Sequence, residues 1–100
     1  MQAQVALNEM RENCANIAQI MKALAHPQRL MLLCHLSTGE KTVGELEELC
    51  GISQSQVSQF LARLKLEGIV ASKKRGLFVA YEIADKKVTV LISALHRIYC

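Results

Sequence analysis

"GISQSQVSQFLARL", residues 51–64, is the stretch whose reading decides the fold. Val57, Phe60, Leu61 and Leu64 recur at intervals of three and four, the period of one helix face. The remaining positions are mostly Ser and Gln. A solvated helix usually carries Glu and Lys, which pair at helical spacing, and Ser is a poorer helix former than either. Stability alone does not account for such a polar face.

The stretch also carries its own punctuation. Ser53 and Gln56 form an S-x-x-Q capping box, which starts a helix at 54, and Gly68 ends it. Upstream, Thr42 and Glu45 form a T-x-x-E box, so another helix runs from about 43 to 50, with Gly51 as the left-handed residue that stops it. Two short helices joined by "GIS" have the spacing of a helix-turn-helix.

Working outward, residues about 5 to 24 place Met10, Cys14, Ile17, Met21 and Leu24 on one helical stripe. Pro27 suits a first helical position. "PQRLMLLCHL" is apolar nearly all round, which predicts a buried second helix. After the helix-turn-helix, "IVASKKRGLFVAYEI" predicts a hairpin of "IVAS" and "LFVAYEI", with Lys73, Lys74, Arg75 and Gly76 at its tip. Asp85 can cap a last helix whose apolar positions are Val88, Leu91, Ile92, Leu95, Ile98 and Tyr99. There are no repeats, linkers or low-complexity segments. The expected fold class is mainly α with a small β-hairpin: a single winged helix-turn-helix domain over residues 1–100, ordered helix, helix, helix-turn-helix, hairpin, helix.

Composition agrees. Hydrophobic residues at 51% exclude a disordered tail, and 4% aromatics without Trp suit an aliphatic helical core. The net charge of +3 points mildly to an anionic partner. "MQAQVALNEMRENC" lacks the basic start and apolar run of a secretory signal, and "LMLLC" is far too short to span a bilayer. A cytoplasmic location is expected, with the four Cys as thiols.

On a helical wheel the face opposite Val57 and Leu61 centres on Ser55, Gln59 and Ala62, flanked by Gln56, Ser58 and Arg63. Gln can pair bidentately with adenine, Arg reads guanine, Ser donates or accepts, and Ala leaves room for a thymine methyl. No acid lies on this helix before Glu67. "EKTVGELEEL" holds four Glu and one Lys, whereas from Arg63 to Arg75 there are five basic residues and one acid. The expected partner is therefore double-stranded DNA read in the major groove. Ser53, Gln54, Ser55, Gln56, Ser58, Gln59 and Arg63 would lie on the reading helix. Lys73, Lys74 and Arg75 would meet phosphates or the minor groove. The bland alternative is a three-helix domain whose Ser and Gln are merely solvated.

With those residues in view, "MKALAHPQRLMLLCHL", "VGELEELCGISQSQVSQFLARLKLEGIV" and "RGLFVAYEI" resemble the ArsR/SmtB family of winged-helix bacterial repressors, over about residues 17 to 100. The resemblance implies a homodimer paired through its first and last helices that binds an inverted-repeat operator and leaves it when an inducer binds. Phe60 stands where many relatives have His; it falls on the inward face, so a packing change is expected. Metal-sensing members often carry a Cys-rich motif at the start of the third helix, and "TVGELEEL" has neither Cys nor His. A second family metal site lies on the last helix, where Asp85 and His96 are present but Lys87 and Tyr99 occupy other ligand positions. No metal site and no cofactor are expected.

Cys34 in "RLMLLCHL" and Cys100 in "LHRIYC" instead resemble the dithiol pair of the persulfide-sensing, HlyU/BigR-like branch. That resemblance implies a reactive sulfur species as inducer, linking the two thiols through added sulfur. Cys14 and Cys50 read as packing residues. Cys100, at the end of the chain, is expected to be exposed, with His96 and Arg97 near it. His26 reads as the residue before Pro27, and His35 as surface or interface. The alternatives are a metal-responsive or constitutive DNA binder and, more remotely, a thiol enzyme. The last would need a positioned base and a substrate cleft; the sequence has no C-x-x-C, phosphate loop or Ser-His-Asp pattern.

Overall fold

The computed structural model describes residues 2–100. The elements are α1 (Gln2–Leu24), α2 (Pro27–Leu36), β1 (Lys41–Thr42), α3 (Val43–Cys50), α4 (Gln54–Leu66), β2 (Val70–Arg75), β3 (Phe78–Ile83) and α5 (Lys86–Tyr99). The helices start where side chains can satisfy their free N–H groups. Thr42 Oγ1 accepts from the Glu45 N–H, and the Glu45 carboxylate accepts from the Thr42 N–H. Ser53 and Gln56 repeat the arrangement at α4. Asp85 caps α5 through the Lys87 N–H. Gly51 and Gly68 follow α3 and α4 with φ of 66° and 75°, a region that side-chain-bearing residues avoid.

The core lies where α2, α3, α4 and α5 meet. Leu32, Leu33, Leu46, Val57, Leu61 and Leu64 have no exposed surface, and Val88 and Ile92 are buried beside them. At roughly 1.5–3 kcal/mol for each fully buried aliphatic side chain, this cluster fixes the angle at which α4 presents its outer face. Ile69, Val70 and Ala80 close the core from the sheet side. α2 is less enclosed than its composition predicts: Met31 is half exposed.

Two features depart from expectation in the sheet. It has three strands in the order β1-β3-β2, because Lys41 and Thr42 pair with Tyr81 and Ala80. The basic run is also not at the hairpin tip. Cross-strand pairing continues out to Arg75↔Phe78, so Lys73, Lys74 and Arg75 belong to strand β2. The turn is Gly76 and Leu77, with Gly76 at φ 62° and Leu77 fully exposed. A two-residue turn needs positive φ, which Gly supplies, and the Lys and Arg before it can stay in the ladder.

α1 is the other departure. It begins earlier than expected, and only Ala23 and Leu24 are buried. Val5, Leu7, Met10, Ile17 and Met21 are all at least 45% exposed. Cys14, expected to pack in the core or at a dimer contact, is exposed in the single chain. The radius of gyration is 15.4 Å, against about 13 Å for a compact 100-residue domain, because α1 projects from the body.

Candidate nucleic-acid interface and thiol pair

α4 carries the expected reading face. Val57, Leu61 and Leu64 anchor it inward, and Phe60 packs half-buried against the core. The His26 ring lies 5.1 Å from the Phe60 ring, tilted by 60°. His26 also caps α2, its Nδ1 accepting from the Gln28 N–H. Both roles were invisible to a reading of His26 as the residue before a proline. On the outer side Gln54, Ser55, Ser58, Gln59 and Ala62 are exposed and make no side-chain hydrogen bond among the described residues. Their donors and acceptors are free.

Other members of the expected set are already engaged. Ser53 Oγ accepts from the Gln56 N–H at 3.2 Å, and the Gln56 Oε1 accepts from the Ser53 N–H at 3.3 Å. Gln56 therefore has only its amide NH2 to offer a base. Arg63 is 2.9 Å from Glu67, one turn on. Lys73 pairs across the hairpin with Glu82 at 3.0 Å. Arg75 holds Glu40 by two parallel bonds of 3.0 Å each, from Nε and Nη2 to the two carboxylate oxygens. Lys74 forms no ion pair among the described residues. Lys65, absent from the expected set, donates to Ser72 Oγ at 2.7 Å and so ties the end of α4 to the wing.

Cys34 lies on α2, and Cys100 directly follows α5. α2 packs on α5. Between them lies an open cleft of about 410 Å³ lined by Cys34, His35, Ser37, Thr38, Ser93 and His96. Cys100 follows α5, its N–H donating to the His96 carbonyl at 2.8 Å, and it is exposed. Burial pushes the Cys34 thiol above its ordinary pKa, and the negative charge of an ionised Cys100 pushes it further in the same direction. Cys50 is raised by burial alone. Among the described residues no three His, Cys, Asp or Glu side chains gather as a metal site, and no helix is long and apolar enough to cross a membrane.

The arrangement has close counterparts. The family described as "Bacterial regulatory protein, arsR family" matches residues 26–72. The transcriptional activator HlyU of Vibrio cholerae is 40% identical over 98% of this chain and 91% of its own. Its reduced form superposes with a TM-score of 0.86, covering 92% of this chain and 97% of that one. The biofilm growth-associated repressor of Xylella fastidiosa is 39% identical over 92% of this chain and 81% of its own. A homodimeric winged helix-turn-helix domain from Mycobacterium bovis matches with a TM-score of 0.77 at 28% identity, covering 89% of this chain and 82% of that one.

Proposed function

Because the chain belongs to the ArsR family of bacterial regulatory proteins, we propose that it is a homodimeric repressor that reads an inverted-repeat operator and leaves it when Cys34 and Cys100 are joined through sulfur. The family places it among DNA-binding transcription regulators. The dimer is supported by the apolar side chains left in water on α1 and α5: Met10, Ile17, Val90, Ile98 and Tyr99 are each at least half exposed. Exposed apolar surface of this extent marks an interface. Two copies would present two α4 helices to half-sites about one helical turn apart. The protein works in the cytoplasm, with the DNA it regulates.

The observation that carries the switch is the packing of α2, which bears Cys34, on α5, which Cys100 follows. Of the pair, Cys100 is the more exposed thiol and reacts first. Its thiolate attacks the outer sulfur, takes it, and releases the carrier as a thiolate. A second transfer puts a sulfur on Cys34. The terminal sulfur of the Cys34 persulfide then attacks the inner sulfur of the Cys100 persulfide. Hydrogen sulfide leaves as HS⁻, and a trisulfide remains. Such a bridge spans more than a direct disulfide, whose Cα atoms must lie about 4.4–6.8 Å apart. It tethers the end of α5 to α2 and so shifts the dimer's two reading helices relative to each other. If the tethered form fits the operator less well, affinity falls by the usual coupling of about 1–3 kcal/mol. Repression follows from occupying an operator; activation follows where the protein displaced is itself a repressor.

The test uses four variants and a duplex selected by the protein from a random pool. Cys34→Ser and Cys100→Ser should bind it and no longer release it on persulfide treatment. Cys14→Ser and Cys50→Ser should bind and still release. A Cys34→Ser protein that remains inducible contradicts the dithiol switch and leaves DNA binding untouched.

A further inference from the structure

Two of the three cations on β2 are already neutralised within the chain, and the two pairs are different in kind. Lys73–Glu82 is cross-strand, so it moves with the wing. Arg75–Glu40 bridges 35 residues of sequence and ties the wing to the loop between α2 and β1. Glu40 is not a drifting surface carboxylate. The two residues after it are locked into the sheet against Tyr81 and Ala80. The loop before it is braced by Thr38 Oγ1, which donates to the His35 carbonyl at 2.8 Å, and by Lys41 Nζ, which donates to the Gly39 carbonyl. The carboxylate is thus held out beside the wing. Its two parallel bonds to Arg75 are those an Arg makes to a phosphate.

We propose that Glu40 is an intramolecular stand-in for a DNA phosphate: it holds Arg75 while the wing is free and gives it up to the backbone of duplex DNA. Arg75 is then a conditional contact, and Glu40 sets how much the wing contributes to affinity. This rests on the reading of the wing as a DNA-facing element. Both partners are substantially exposed, at 56% and 37%, and exposed pairs of this kind are weak enough to exchange. Arg75 draws the Glu40 carboxyl below the usual carboxylate range, so it is fully ionised at neutral pH. The exchange has a signature in salt. A phosphate neutralised by Arg75 releases a counterion, but wherever Arg75 stays on Glu40 that phosphate keeps its counterion. In the native protein Arg75 therefore adds less than a full phosphate contact to the salt dependence of binding.

The experiment measures binding to a random-sequence duplex of about 30 base pairs by fluorescence anisotropy across a salt series. Glu40→Gln should bind more tightly at low salt, and its log–log salt slope should steepen by up to about 0.9 per subunit engaged. Glu48→Gln removes the same charge from an exposed α3 position outside every ion pair of the described residues, and should leave the slope unchanged. In an Arg75→Gln background, adding Glu40→Gln should no longer steepen it. An unchanged slope in Glu40→Gln, an equal change in Glu48→Gln, or an undiminished effect without Arg75 each overturns the proposal. A native protein with no salt-dependent duplex binding overturns the DNA-facing wing itself, and this proposal with it.

Discussion

α4 and the wing, the two elements proposed to meet DNA, are held by different physics. Three fully buried side chains, Val57, Leu61 and Leu64, root α4 in the core, and a reciprocal capping box fixes where it begins. The outer half of the wing has no buried residue at all. From Lys73 to Val79 every position is exposed, and the strands are seated at their inner ends by Val70, Ala80, Tyr81 and Ile83. Its cations are placed by the hairpin ladder and by carboxylates on neighbouring strands and loops. A surface rooted in the core offers a fixed pattern of donors and acceptors, which is what base reading requires. A surface held by exposed ion pairs can exchange partners, which suits contacts to a uniform phosphate backbone.

Breaking the root of α4 should have the largest effect. Leu61→Ala removes a side chain with no exposed surface and should cost about 2–5 kcal/mol of folding stability, read by urea denaturation. A loss below about 1 kcal/mol would mean that α4 is not set by the core, and the contrast with the wing would go. Gln59→Ala tests the outer face without touching the core. It should lose about 1–3 kcal/mol of discrimination between preferred and altered duplexes, with stability unchanged. Intact sequence preference in that variant would move base reading away from this face.

The smallest effect concerns pH. Burial, and then the neighbouring Cys100 charge, raise the Cys34 thiol. The folded state therefore holds its proton longer than the unfolded chain does, and stability is lost as pH rises past the ordinary thiol value. In a Cys14→Ser/Cys50→Ser/Cys100→Ser protein the charge effect is absent, so alkylation of Cys34 should move to lower pH than in a Cys14→Ser/Cys50→Ser protein. Quantitative alkylation by peptide mapping across the alkaline range reads the difference. Superimposable profiles would mean that the two sulfurs do not interact.

The same contrast explains what was legible in the sequence. The helix-turn-helix was written locally: Thr42 with Glu45, Ser53 with Gln56, and Gly51 between them lie within a few residues of the elements they define, and the inward period of α4 follows from its own side chains. The Asp85 cap was local too. The wing's details were not. The position of Lys73, Lys74 and Arg75 depends on where strand pairing stops, which is set by Gly76 and the register across to Phe78. Strand β1 is only two residues long, and Thr42 doubles as the cap of α3, so no alternation announces it. Glu40 gave no signal because its partner is far away in the chain. The family resemblance singled out Cys34 and Cys100, since nothing in their local sequence links them. The stripe of α1 is apolar in the sequence itself; whether it packs within one chain or against a second depends on contacts beyond its own residues.

The central claim is that Cys34 and Cys100 form one switch within a single subunit. Its most direct test is peptide mapping by mass spectrometry, without reduction, after persulfide treatment of a mixture of isotopically light and heavy protein. The expected product is a Cys34–Cys100 cross-link carrying at least one added sulfur, found only as light–light or heavy–heavy pairs. Mixed light–heavy pairs, or persulfides on the two cysteines that never join, would contradict it.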